Sequence, residues 1–292
     1  MKEVIKNIYR LIPFKKNIFQ GLKLFWKPKE TTYRHLYFTG IFDVKVGPGK
    51  RFKMKHYGYQ LENEIFWAGL TGSWEKESLK LWISLCKHSQ VIFDIGANTG
   101  VFALVAKTVN PQSKVYAFEP VKRILDKLKE NNSLNKYDII PVELAVSNTD
   151  GTETIYDIPD EHAYSVTFNK AMVPPGSHVI ETPMETVRLD TYIRDQDIKQ
   201  VDLIKIDVEA HEPQVLEGFK EHLFRFKPAI LIEVLYAELG EEINKLVDGM
   251  GYLFFNVNES GDVRQVKRIG RSDDYNYLIC QPDTAKRIGL VE

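Results

Sequence analysis

From residue 90 onward the chain alternates short apolar runs with longer stretches whose apolar positions recur three and four apart. Val91, Ile92 and Phe93 make a run typical of a strand buried on both faces. Asp94 ends it, residues 96–100 make a small-residue turn, and residues 101–109 are apolar at helical spacing. Residues 115–118 read as a second strand, 122–132 as a helix with Ile124, Leu125 and Leu128 facing inward, and 139–146 as a third strand. A fourth, 201–206, ends at Asp207. The next helix opens at Glu212-Pro213, where proline suits a first turn, and buries Val215, Leu216, Phe219 and Leu223. Residues 229–234 are a strand and 241–250 a helix, and 253–257 with 275–280 close the sheet as an antiparallel pair. This order predicts an α/β fold with a doubly wound, mostly parallel sheet and an antiparallel edge.

Two stretches depart from that rhythm. Residues 42–46 and 52–55 alternate across Gly47-Pro48-Gly49, as a β-hairpin does. Residues 74–87 are amphipathic, with Leu79, Trp82, Ile83 and Cys86 on one side. Residues 1–88 therefore read as a helical and β-hairpin cap on a domain spanning 89–285. Residues 149–190 carry Gly151, Pro159, Pro174-Pro175-Gly176 and Pro183 between short strand-like pieces. So long an irregular segment in a compact domain is usually functional, and reads as a substrate-facing lid or hairpin.

Charge and cysteine usage narrow the class. Among 292 residues, 39 Lys and Arg nearly balance 40 Asp and Glu, so no global field argues for nucleic acid. Cys86 and Cys280 lie far apart in apolar runs, without metal-ligand spacing; a reduced, cytoplasmic chain with two core cysteines is the plain reading. There is no run of 18 apolar residues and no apolar signal-peptide core. Residues 1–30 are locally basic, and Ile5, Ile8, Tyr9, Ile12, Phe19, Leu22 and Phe25 recur near helical spacing. Such a segment suits an anionic inner-membrane surface or a partner. A helix packed on its own domain, or an arm, is the plainer reading, because Pro13 interrupts the pattern.

The glycine turn carries the chemistry. Glu119 closes the second strand 19 residues past Gly100, where an acid accepts the ribose hydroxyls of a bound nucleoside. A dinucleotide fingerprint needs G-x-G-x-x-G, and Asn98 and Val101 stand at its second and third places. The spacing of Gly96, Asn98 and Gly100 instead resembles the Asp-x-Gly-x-Gly-x-Gly turn of Rossmann-like S-adenosylmethionine methyltransferases. Gly96 is expected to leave space for the ligand against the backbone. An ordinary strand–turn–helix capped at Asn98 or Thr99 is the alternative, and Glu119 weighs against it.

Five ordered motifs extend the likeness: Asp94-Ile-Gly-Ala-Asn-Thr-Gly100, Phe118-Glu-Pro120, Ala145-Val-Ser147, Arg188-Leu-Asp190, and Asp202-Leu-Ile-Lys-Ile-Asp-Val-Glu209 with Glu212, Val215, Leu216 and Gly218. Together they resemble the FkbM-type S-adenosylmethionine-dependent methyltransferases over residues 60–280. The resemblance implies a class I methyltransferase fold, that cofactor, and methylation of a hydroxyl oxygen, commonly on sugars or polyketides. In one place the chain departs: the family usually has glycine directly after Asp-Val-Glu, where Ala210 stands here, followed by His211.

Ligands in such sheets sit beyond the carboxyl ends of the strands, at the reversal of strand order. The resemblance then implies that Asp94, Gly96, Ala97, Asn98 and Gly100 cradle the methionine part, Glu119 takes the ribose, and Ala145, Val146 and Ser147 flank the adenine. Asp207, Glu209 and His211 would stand beside the reactive carbon. His211 has a pKa suited to a neutral-pH base, with Asp207 or Glu209 orienting it or acting directly. Plainer roles are cofactor binding alone for Asp207, helix capping for Glu209 or Glu212, and simple exposure for His211. A divalent ion on Asp207, Glu209 and Glu233 is a further reading, since oxygen ligands suit one. His162 and His178 are weaker candidates. The acceptor is a small molecule or glycan that no residue pattern identifies. A nicotinamide-dependent oxidoreductase and a catalytically idle scaffold domain are the competing functions.

Overall fold

Alternation of apolar and polar residues sets the first strands. The computed structural model describes residues 14–158, 165–167, 176, 179–270 and 272–292. After two short helices, α1 (Lys15–Leu22) and α2 (Glu30–Tyr33), strand β1 (Gly40–Gly47) pairs antiparallel with β2 (Lys50–His56). Their inward residues Phe42, Val44, Phe52 and Met54 are buried, as period-two patterning requires. Helices α3 (Gln60–Ala68) and α4 (Lys76–Cys86) follow. Leu79, Trp82, Leu85 and Cys86 of α4 are buried in one core with the hairpin and with Leu104, Leu203 and Leu278 of the following domain.

That domain alternates as the patterning predicts. Strand β3 (Val91–Ile95), helix α5 (Val101–Val109), strand β4 (Lys114–Phe118), helix α6 (Lys122–Asn135) and strand β5 (Ile140–Val142) form the first half. A second, four-stranded sheet comes next: β6 (Ala145–Val146), β7 (Gly151–Ile158), β8 (Ser165–Thr167) and β9 (Ile180–Val187), in the order β6-β9-β7-β8. The chain re-enters the main sheet through α7 (Leu189–Asp195) and β10 (Leu203–Ile206). It continues with α8 (Glu212–Glu217), α9 (Lys220–Phe226), β11 (Ala229–Glu233), α10 (Ala237–Leu246), β12 (Leu253–Asn258), β13 (Asp262–Val266), β14 (Asn276–Cys280) and α11 (Pro282–Arg287).

The eight-stranded sheet has the order β13-β12-β14-β11-β10-β3-β4-β5. Strands β11, β10, β3, β4 and β5 are parallel, and β14 runs antiparallel between β11 and β12. Order reverses between β3 and β10, so the crevice lies at their carboxyl ends. Both faces are covered. Ile92, Leu203, Leu231 and Leu278 pack toward the hairpin and α5, and Phe93, Ile204, Ile230 and Ile279 pack into the core with Leu189, Val215 and Phe219. This is the Rossmann-like, doubly wound arrangement with an antiparallel edge.

Two details differ from the sequence reading, and a third agrees with it. The run 139–146 is not one strand: β5 stops at Val142, and Ala145 and Val146 leave the main sheet to pair with Thr186 and Val187 of β9. An apolar run signals a strand but not its partner. The helix from Glu212 breaks at Gly218, where a Cβ would meet the Ser147 carbonyl oxygen closer than the 3.0 Å such atoms keep. The hairpin expected in 149–190 is present as β7 against β9, Gly151 opposite Thr186 through Asp157 opposite Ile180.

Candidate active site

A cavity of about 410 Å³ opens at the reversal point. From β3 and its turn it takes Asp94, Gly96, Ala97 and Asn98; from the end of β4, Glu119; from β10 and its loop, Lys205, Asp207, Val208 and Glu209; from β11, Glu233. The opposite wall comes from the N-terminal segment, with Tyr59, Gln60, Leu61, Glu64, Trp74 and Glu75.

The turn after β3 is held by backbone. Gly96 and Ala97 N–H both donate to the Phe118 carbonyl, at 3.1 and 2.9 Å, and Asp207 N–H donates to Ile95 at 3.1 Å. Gly96 has φ +78°, and a Cβ there would collide with the Asp207 carbonyl oxygen. Glycine is thus required by the approach of the β10 loop, a reason different from the ligand space the sequence suggested. Gly100 (φ +90°) caps α5 and lies against Leu128, off the cavity wall. Asn98 is left-handed, with its side-chain oxygen accepting the Thr99 N–H. Asp94, buried in β3, reaches the start of α5 and accepts the Ala103 N–H at 2.9 Å.

Glu119 is 6% exposed, and its two oxygens accept the N–H groups of Asn98 (3.0 Å) and Val121 (2.9 Å). A carboxylate offers about four lone pairs, so each oxygen keeps one beyond these backbone donors. Burial pushes both Glu119 and Asp94 up to about 7.

Lys205 is the cation among these acids, and the sequence reading gave it no role. It is 1% exposed, with Nζ 3.1 Å from Asp207, 3.9 Å from Glu75 and over the Phe102 ring. Burial opposes its charge, yet Asp207, Glu75 and Glu233 hold its pKa above the ordinary lysine value. Burial in turn raises Glu75 and Glu233, against the pull of Lys205. A lysine inside an otherwise apolar buried strand, Leu203-Ile-Lys-Ile206, was the available signal. Glu75 had none; chain folding alone brings it there.

The loop after β10 is strained. Glu209 (φ +55°) and Ala210 (φ +72°) are consecutive left-handed residues. Glu212 reaches back from α8 to accept the N–H groups of Val208 and Ala210, both at 3.2 Å. Its role is thus to clamp the loop that precedes its own helix. A left-handed alanine costs about 1–2 kcal/mol, part of which glycine's freedom in the unfolded chain offsets. Ala210→Gly is therefore expected to stabilise the protein by about 0.5–1 kcal/mol, read as a rise in the urea midpoint at unchanged slope.

The structure divides the sequence-selected residues. Asp94, Gly96, Ala97, Asn98, Glu119, Asp207 and Glu209 line the cavity. His211 does not: its Nε2 lies 3.0 Å from Ser147 Oγ, which donates to Glu153 at 2.8 Å. Burial lowers its pKa. Ala145, Val146 and Ser147 are buried in and beside β6 and are not part of the cavity wall, so the adenine-flanking role gains no support from their position. Asp207, Glu209 and Glu233 share the cavity, but among the described residues they are not a set whose ligand atoms converge within 4.8 Å. The set that does, Asp190, Glu221 and His222, is a helix cap: Asp190 accepts the N–H groups of both neighbours and faces His222 Nδ1 at 2.7 Å. His162 and His178 lie outside the described residues. Cys86 and Cys280 are buried and unpaired, as core cysteines.

A Rossmann-like sheet with a glycine turn, and an acid at the next strand end, defines a nucleoside-cofactor enzyme fold. A sequence profile described as the methyltransferase FkbM domain matches residues 94–254, more than half of the chain. The chain belongs to the FkbM methyltransferase family. It is 22% identical over 205 residues to the hexuronic acid methyltransferase AglP of Haloferax volcanii, covering 69% of this chain and 75% of that one. To the 2-O-methyltransferase NoeI of Sinorhizobium fredii it is 28% identical over 148 residues, covering 47% and 60%. A solved methyltransferase FkbM from Methylobacillus flagellatus aligns with a TM-score of 0.41 at 16% identity, over 65% of this chain and 43% of that one.

Proposed function

We propose that this chain transfers the methyl group of S-adenosylmethionine to a hydroxyl oxygen of a sugar, a glycan or a related small molecule. The observation that carries this reading is Glu119, buried at the cavity with one lone pair per oxygen left for a ribose. Asp94 supports the choice of cofactor. Its carboxylate occupies the N-terminus of α5 through Ala103, where a dinucleotide would need to seat its pyrophosphate. That position repels a phosphate and suits an ammonium group. An idle scaffold would gain nothing from Lys205 and the acids buried around it, since buried ion clusters contribute little net stability.

When bound, the cofactor supplies an electrophilic methyl group on a cationic sulfur. The chain's residues bind it through Asp94, the turn 96–98 and Glu119, and must align the acceptor and remove its proton. Among Asp207, Glu209 and His211, we assign proton removal to Glu209. It faces the cavity, and burial followed by the charge of Asp207 lifts it to about 7, the range that suits a base at neutral pH. Residues 89–285 form the methyltransferase unit in this reading, and 1–88 the cap that closes the acceptor side with Tyr59, Gln60, Glu64 and Trp74. The relative named for 2-O-methylation supports an oxygen acceptor, and the one named for hexuronic acid supports a sugar-type acceptor.

Calorimetry with S-adenosylmethionine and with NAD tests the cofactor directly. Glu119→Gln removes one acceptor while keeping the side-chain volume, and is expected to weaken S-adenosylmethionine binding about tenfold to a hundredfold, at about 1.5–3 kcal/mol per charge-assisted bond. The hydroxyls need the ionised carboxyl, so wild-type affinity should rise from pH 6 to 8 as Glu119 loses its proton through about 7. The variant should show a shallower rise. Equal affinity and equal slope in both proteins would remove Glu119 from the ribose.

A further inference from the structure

Helix α1 is held to the protein by one face and leaves another in solvent. Its inner residue Phe19 is buried, with its ring 5.4 Å from Trp67 and 6.4 Å from Phe38. Lys23 turns inward over the Phe66 ring and donates to the Phe66 carbonyl. The helix is therefore a docked element. Its other face presents Phe14, Ile18 and Leu22, one stripe at i, i+4 and i+8, followed by Leu24 and Phe25 in the next turn. Phe14 is 76% exposed, Leu24 78% and Phe25 90%, and Trp26 is 43% exposed beside them. Among the described residues, six of the eleven exposed large apolar side chains fall within these thirteen positions. Single exposed apolar residues are ordinary, but a contiguous cluster marks an interaction surface.

Charge says which surface it fits. From residue 14 to 29 the sequence holds five lysines and no acid, in a chain whose formal net charge is −1. Lys27 and Lys29 are exposed on the segment that carries Leu24, Phe25 and Trp26. Apolar side chains with a tryptophan, bordered by lysines, match the boundary between acyl chains and anionic headgroups. Among the described residues no helix is long and apolar enough to cross a membrane, so contact through this patch would be peripheral.

We propose that the exposed face of residues 14–29 docks the protein on an anionic lipid bilayer. Flotation of the full chain with vesicles of phosphatidylcholine, alone or with 30% phosphatidylglycerol (about physiological anionic content), tests this. Wild type should float with the anionic vesicles and at least tenfold less with the neutral ones, and raised salt should release part of it. Leu24→Glu with Phe25→Glu, at two solvent-facing positions, should cut recovery at least tenfold with unchanged circular dichroism and thermal midpoint. Equal recovery of wild type and variant, or no flotation of either, overturns the proposal. So does a concentration-dependent dimer in sedimentation that the variant abolishes while vesicle binding is absent, since the patch would then be covered by a second copy of the chain.

Discussion

Gly96→Ala is expected to abolish measurable S-adenosylmethionine binding and to lower the thermal midpoint by roughly 10 °C, at about 3 kcal/mol or more of strain and overlap. The added methyl meets the carbonyl oxygen of Asp207, which belongs to backbone and cannot rotate away. The φ of +78° adds a penalty for any side chain. The turn also hangs on the Phe118 carbonyl through two N–H groups, so moving it shifts Asn98 and with it the Glu119 carboxylate. Alanine should be nearly as harmful as valine, because the obstruction begins at Cβ. If the glycine merely left space for ligand, alanine would be mild, valine severe, and stability unchanged. A series of the two variants, read by calorimetry and thermal melts, separates these cases.

The strands of the main sheet were legible because burial on both faces leaves a continuous apolar run, and the site because its motifs are short and local. Asp94, the turn 96–100, Glu119 and Asp207–Glu209 all sit within a few residues of a strand end. What sequence did not reveal depends on contacts across the chain. Glu75 comes from the N-terminal segment to lie 3.9 Å from Lys205, and nothing around position 75 announces it. Ala145–Ser147 looked like the end of a third strand, but their partner is β9, some 40 residues on. His211 follows the acidic strand end by four residues, yet two left-handed residues turn the chain between them, and its ring meets Ser147 instead of the cavity. Periodicity carries no information about such a turn, except where glycine announces it, and here alanine stands in its place.

Glu209→Gln is expected to reduce turnover about 10²- to 10⁴-fold while cofactor affinity stays close to wild type, the signature of a lost base. The carboxyl is raised to about 7 by burial and by Asp207, so the wild-type rate should climb with pH through that value and level above it. The amide variant cannot take a proton and should lose this inflection. Nearby Asp207 is tied to Lys205 at 3.1 Å, which keeps it an anchor for charge and a poor substitute. His211→Ala gives the contrast. Its ring is joined to Ser147 and through it to Glu153, so its removal should leave the inflection near 7 in place. Burial lowers the pKa of His211, so a histidine base would instead place the inflection below 6.5. If His211→Ala erases the pH dependence and Glu209→Gln keeps full turnover, the proton passes to the imidazole, and the Glu153–Ser147–His211 chain becomes the device that orients it.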